Sequence, residues 1–201
     1  KKKFISAAYN LAAFSFLKKE IFKKIFFWPD GIFIKLIKYK IQKTPGSDFI
    51  KKIKLIRNLR GIYVVGNLSY KNKIFLKKEF SKKIIHIPLP FGDVLLLKSY
   101  LKDIQFNLKD YIIIITLPSP KQEEVAEFLY HKNISYNPRI LCIGGGLSIA
   151  SNEEQKCPKL LYNLGLEFLW RLQYETVRRL KRLSLSIVIA IKRMFLLEIF
   201  R

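Results

Sequence analysis

The run Tyr111-Ile-Ile-Ile-Ile-Thr116 passes directly into Leu117-Pro-Ser-Pro-Lys-Gln-Glu-Glu124, and this junction decides the fold. A continuous apolar run with no polar alternation fits a strand buried on both faces, the habit of parallel sheets. The two prolines stop the strand, and Lys121 to Glu123 open a helix. The same grammar recurs at Ile62-Tyr-Val-Val65, Ile84-Ile-His-Ile87 and Ile140-Leu-Cys-Ile143. Between these runs, residues 71–83, 94–106 and 121–132 are charged and carry helical spacing. Strand and helix alternating at this interval imply βαβ units. Ile25-Phe-Phe-Trp28 reads as another strand, and Phe4-Ile5 as the end of a further one. On this reading the chain begins inside its first βα unit, and residues upstream are expected. The expected class is α/β, a Rossmann-like, mostly parallel sheet with flanking helices and a basic helical C-terminal appendage.

Composition narrows the partners. The chain has 201 residues, enough for a sizeable core, and half of them are apolar, which argues against disorder. Lys and Arg number 38 against 15 Asp and Glu, a formal charge of +23. Such a surface attracts phosphates, whether of nucleic acid, anionic lipid or a nucleotide sugar. No RNP-like aromatic motif, zinc finger or recognition-helix pattern supports a specific nucleic-acid binder. Two cysteines, Cys142 and Cys157, make no disulfide framework and fit a reducing setting. His86 and His131 lie in no metal-ligand pattern. No secretory leader pattern is evident, and no apolar run reaches the ~18 residues of a spanning helix.

Two units are expected: an α/β domain over residues 1–157 and a helical appendage over 158–201. Residues 158–183 form a long helical pattern, as one helix or two, with Glu167/Arg171 and Glu175/Arg179 at i,i+4. Residues 183–200 are largely apolar but carry Lys192 and Arg193. Such a tail either packs on the core or lies on a membrane. The crowding of Arg178, Arg179, Lys181, Arg182, Lys192 and Arg193 favours the membrane, where each basic residue contributes about 1 kcal/mol.

Gly and Pro fall at the strand ends, where ligands of open α/β sheets bind. Pro29-Asp-Gly31 is common turn chemistry, yet Asp30 on such a loop is also placed to take a proton from a sugar hydroxyl. In Thr44-Pro-Gly-Ser-Asp48, Ser47 or Asp48 is expected to cap a helix over residues 49–60, and Gly46 to admit a substrate. Gln122 offers both donor and acceptor. Gly144-Gly145-Gly146 either cradles a phosphate or simply turns the chain; it lacks dinucleotide-fold and P-loop spacing. Arg171, Arg178, Arg179 and Arg182 are suited to phosphate oxygens or to a solvated face.

The order of these elements resembles the WecG/TagA/CpsF glycosyltransferases. Pro29-Asp-Gly31, Gly46-Ser-Asp48, Gly66, Pro120-Lys-Gln-Glu123, the Gly144 loop and Gly165-Leu-Glu-Phe-Leu-Trp-Arg-Leu172 with Glu175 and Arg178 follow the family's sequence of motifs. The resemblance implies inverting transfer of an N-acetylhexosamine-type sugar, N-acetylmannosamine or its uronate. The donor would be a UDP-sugar, and the acceptor a polyprenyl-diphosphate-linked sugar at the cytoplasmic membrane face. It implies no cofactor and no metal, peripheral membrane attachment, and leaves room for a homo-oligomer. Asp30 matches the family's general base and Gln122 a substrate-contacting glutamine. Arg171, Arg178 and Arg182 match basic residues of an appendage that closes over the diphosphate. Ser6 stands near a family threonine. Gly31, Gly46, Asp48, Gly66, Gly144 and Gly145 join the expected substrate-binding set.

Four departures stand out. Pro118 replaces a usual Gly, Leu147-Ser148 a Phe-Asp pair, Lys156-Cys-Pro158 an Arg-Ala-Pro, and Glu175-Thr176 a Glu-Pro. The lost aspartate at Ser148 points either to a changed donor preference or to an impaired copy that docks at the membrane as an assembly protein.

Overall fold

A computed structural model describes residues 5–30, 44–56, 58–164, 166–173 and 176–199. The chain runs β1 (Ile5–Tyr9), α1 (Leu11–Phe16), α2 (Lys19–Lys24), β2 (Ile25–Pro29), α3 (Gly46–Lys52), β3 (Gly61–Val65), α4 (Tyr70–Glu79) and β4 (Lys83–Ile87). It continues with α5 (Val94–Lys102), β5 (Tyr111–Ile115), α6 (Lys121–Lys132), β6 (Arg139–Cys142), α7 (Gly146–Ala150), α8 (Lys159–Leu164), α9 (Glu167–Leu172) and α10 (Thr176–Ile199). The strands form one sheet in the order β2-β1-β6-β5-β3-β4, and every pairing is parallel. The α/β, Rossmann-like expectation holds.

The apolar strands are explained by two cores, one on each face. Tyr63, Val65, Ile113, Ile115, Ile140 and Cys142 face one layer with α1, α2, α5 and α6. Ile62, Val64, Ile112, Ile114, Leu141 and Ile143 face the other with α3, α4 and α7. Alternate side chains of each strand therefore leave water on opposite sides, which demands an unbroken apolar run. Ile113, Ile114 and Ile115 are fully buried, each contributing about 1.5–3 kcal/mol.

Polar caps set several helix ends. Asn10, Ser69 and Asp93 side chains accept backbone N–H groups of Ala13, Asn72 and Leu96. Lys132 donates to the carbonyls of Leu101 and Ile104 at 2.8 and 2.6 Å, closing the end of α5.

Some boundaries differ from the sequence reading. β1 continues to Tyr9, well past Ile5. α3 starts at Gly46, not at 49, with Pro45 at its N-cap and no side-chain cap bond. Asp48 sits in its first turn and Ser47 is buried, so neither caps it. α3 ends at Lys52 in a 3-10 turn over Ile53–Leu55. The tail does not divide near residue 183, because α10 is continuous through it. No Gly or Pro interrupts residues 176–199, so nothing there breaks a helix.

One face of α10 packs along α1. Ser186 and Ala190 are buried, and Ser15 Oγ donates to the Ser186 carbonyl at 2.8 Å. Arg193 reaches over the end of α1, donating to the Phe14 carbonyl and, at 2.7 Å, to that of Leu17. Arg193 thus works as a helix cap rather than as one of the tail's membrane-facing cations. Among the described residues, no helix is long and apolar enough to cross a membrane.

Candidate active site

A cleft of about 1020 Å³ opens at the carboxyl edge of the sheet, at the upper end of the range for small-molecule sites. Asn10 follows β1 into it, Asp30 follows β2, Thr116 follows β5 and Gly144 follows β6. These are the positions where a parallel sheet leaves unpaired loop ends.

Local packing assembles the walls. Trp28 on β2 is buried and stacks on Phe49 of α3, rings 4.9 Å apart. The Thr44 N–H donates to the Pro29 carbonyl at 2.7 Å, bringing the start of α3 beside Asp30. Gly46 and Gly146 then meet backbone to backbone: a Cβ built on Gly146 would stand 3.1 Å from the Gly46 carbonyl carbon. Gly146 is needed here for helix approach, whereas a Cβ on Gly46 would make only ordinary contacts of 3.7 Å and more, and both glycines line the cleft. Gly144 has a φ of +50°, a left-handed turn that suits glycine.

Gln122 forms part of the floor. It is 2% exposed, and both ends of its amide are engaged. Oε1 accepts the Gly144 N–H at 2.9 Å, and Nε2 donates to Glu123 Oε1 at 2.9 Å. One Nε2 hydrogen remains for a ligand.

The helical tail closes the opposite wall. Arg171 donates to Glu167 at 2.6 Å, the i,i+4 pair read from sequence, and Arg182 lies further along on α10. Trp170 Nε1 donates to the Gln155 carbonyl at 3.2 Å, tying α9 to the loop after α7. Lys156 stands 3.8 Å from Asp48. Tyr162 of α8 also lines the cleft, and its phenol is held protonated beyond the usual range. Burial is the largest cause, followed by the negative charges of Glu167, Asp30 and Asp48. Tyr162 therefore shares the electrostatic neighbourhood of Asp30.

Of the residues read from sequence, Asp30, Gly46, Asp48, Gln122, Gly144, Gly145, Arg171 and Arg182 line this one cleft. Ser6 does not: it is the second residue of β1, paired with Phe26 and Leu141, and Asn10 holds the cleft end of that strand. Gly66 does not line it either. Its φ is +130°, and an added Cβ would meet Thr116 Oγ1 at 2.2 Å, so it is a packing glycine between β3 and β5. Gly31 lies outside the described residues, as does the side chain of Arg178. Sequence reading missed Asn10 and Tyr162. An Asn between a strand and an apolar helical run is an N-cap signal and would have flagged the first; no motif marks the second. Three of the four departures line the cleft, through Pro118, Ser148 and the pair Lys156 and Cys157. Among the described residues, no group of three or more His, Cys, Asp or Glu is placed to hold a metal ion.

A wholly parallel α/β sheet with a cleft at its carboxyl edge defines a Rossmann-like architecture. The chain belongs to the glycosyl transferase WecG/TagA/CpsF family, whose model matches residues 26–201. That membership makes it a transferase-family protein of cell-surface polysaccharide synthesis, with a sugar donor and an acceptor as substrates. A search of the curated proteins finds no match to the chain.

Proposed function

We propose that the chain transfers an N-acetylhexosamine-type sugar, N-acetylmannosamine or its uronate, from UDP to a polyprenyl-diphosphate-linked sugar, with inversion. The reading is carried by Asp30 lining the same cleft as Arg171 and Arg182, although the two sets are far apart in sequence. Asp30 accepts the proton of the acceptor hydroxyl as that oxygen attacks the anomeric carbon. The bond from that carbon to the UDP oxygen breaks with its electron pair, and attack from the opposite side inverts the centre. Arg171 and Arg182 offset the charge that develops on the departing diphosphate. Gln122 acts on the donor through the Gly144 turn that it holds. Asp30→Asn lowers turnover by about 10²–10⁴-fold while leaving UDP binding near the wild-type level. UDP release with membrane lipid extract and calorimetric UDP binding read the two effects; turnover at the wild-type rate removes Asp30 from the base role.

Residues 158–201 serve in this reading as an appendage that lies on an anionic membrane. The support is the outer face of α10, where Val177, Leu180, Val188, Ile191 and Phe195 form an exposed apolar stripe at helical spacing. Lys181 and Lys192 are exposed on the same helix. An apolar stripe with flanking cations suits the boundary between headgroups and acyl chains.

A further inference from the structure

Glu123 stands behind the cleft floor in the first turn of α6, and the transfer chemistry above does not use it. It is fully buried. Its Oε1 accepts from Gln122 Nε2, while Oε2 and the Ser119 hydroxyl have no hydrogen-bond partner among the described residues. The Gly144 N–H is a donor only, so the Gln122 amide oxygen must face it and the amide nitrogen must face Glu123. A hydrogen-bonded chain therefore runs from a buried acid through Gln122 to the turn at the cleft surface.

The surroundings favour the neutral acid. Burial is the dominant influence, offset in part by the bond from Gln122, by the acid's own backbone N–H and by the nearby Ser119 hydroxyl, which stands close without closing a hydrogen bond, and it lifts the carboxyl to about 7. Arg182 of α10 favours ionisation. Cys142 of β6 is held as the thiol by its own burial and by the acid's charge. In the same first turn, Lys121 donates to the Gly92 carbonyl at 2.6 Å and Glu124 follows Glu123; the remaining charged groups lie further along the helix. Glu127 pairs with Lys24 of α2 and lies near His131, and Lys132 binds the end of α5. Of the sheet residues in the same core layer, Ile5, Ala7 and Ile140 are apolar. When neutral, Glu123 carries a proton on Oε2 that can be donated to Ser119. When ionised, it is a buried anion set behind the place where a diphosphate would lie.

We propose that Glu123 is a positioning residue that works as a neutral acid, holding Gln122 and through it the Gly144 turn for the anionic part of the donor, so that its ionisation weakens donor binding. This rests on reading the cleft as the nucleotide-sugar site. Glu123→Gln is the fixed neutral form: its carboxamide oxygen accepts from Gln122, and its NH₂ replaces the acid's OH.

Two measurements on the full chain test it. The first is UDP affinity by calorimetry at pH 6 and pH 8, for wild type and E123Q. Comparing the two proteins removes the titration of the nucleotide's own phosphate. If only the neutral form binds well, a single proton with a midpoint near 7 gives a loss of about tenfold in wild type beyond that in E123Q. The second is the amide resonance of Gly144 in the unliganded wild-type protein, which is expected to titrate with the same midpoint. Equal pH dependence in the two proteins, or a Gly144 amide that does not titrate, overturns the role given to Glu123. A titrating Gly144 amide in a wild-type protein that binds no UDP at either pH rejects the nucleotide reading of the cleft, and the donor role with it.

Discussion

Three consecutive glycines at the cleft floor should respond differently to one added methyl group. At Gly146 a Cβ would lie 3.1 Å from the Gly46 carbonyl carbon and 3.2 Å from the Ser47 nitrogen. Both are backbone atoms and cannot rotate aside, so α3 and α7 must separate by a few tenths of an ångström. Overpacking of this kind costs about 1–3 kcal/mol. At Gly144 the space is ordinary, 3.5 Å to the Leu117 carbonyl oxygen, but φ is +50° and an L side chain costs about 1–2 kcal/mol there. At Gly145 nothing lies within 4 Å and φ is −73°. Alanine at Gly145 gives up a modest N-cap preference and gains from a stiffer unfolded chain, leaving stability within about 0.5 kcal/mol of wild type. Its methyl group would instead enter the cleft. Urea unfolding followed by far-UV circular dichroism should therefore rank G145A beside wild type, with G144A and G146A clearly lower. A 2 kcal/mol loss in G146A corresponds to a Tm lower by roughly 4–8 °C. UDP calorimetry should reverse part of the order, with G145A well folded and weakened in binding. Equal stability of G145A and G146A would refute the packing argument for the Gly46–Gly146 contact.

The tail supports two further tests. Arg193→Ala leaves the Phe14 and Leu17 carbonyls without their guanidinium partner and should cost about 1–3 kcal/mol, with Arg193→Lys intermediate because it lacks the fork; an R193A protein as stable as wild type would mean that this cap does not hold α10 to α1. Val188→Asp with Ile191→Asp charges the bare stripe without touching the face on α1, and should reduce flotation with anionic liposomes while leaving Tm nearly unchanged; undiminished flotation would reject the stripe as the lipid contact.

The sheet was legible because its physics is one-dimensional. A strand covered on both faces needs apolar residues at consecutive positions, and Ile112 to Ile115 supply them alternately to the two cores. Glycines were legible as punctuation but not as function. Gly66 and Gly144 both end strands with positive φ, yet one is packed against Thr116 and the other turns into the cleft. Spacing cannot separate them, because the difference lies in what stands opposite. The same limit applies to Ser6 and Asn10, since which of two nearby polar residues reaches the cleft depends on where β1 ends. Gln122 was recognisable as a residue beyond a strand end that would line the cleft, but its engagement with Gly144 and Glu123 needed the third dimension.

The tail shows why a composition change need not mark a structural one. Basic residues thin out after Arg182 and apolar residues take over, which reads as a boundary, yet helix continuity depends on propensity and the absence of breakers. What the apolar excess encodes is a helix with two non-polar sides. Leu183, Ser186, Ala190 and Arg193 recur at helical spacing on the side turned inward, while Val177, Leu180, Val188, Ile191 and Phe195 follow the opposite side. A single apolar stripe could have been satisfied by α1 alone. The second has no covering element among the described residues, and its exposure carries a continuing hydration cost unless something apolar meets it. Because Arg182, Leu183 and Ser186 of this helix also line the cleft, whatever covers the bare stripe is held against the same rigid element that forms the cleft wall.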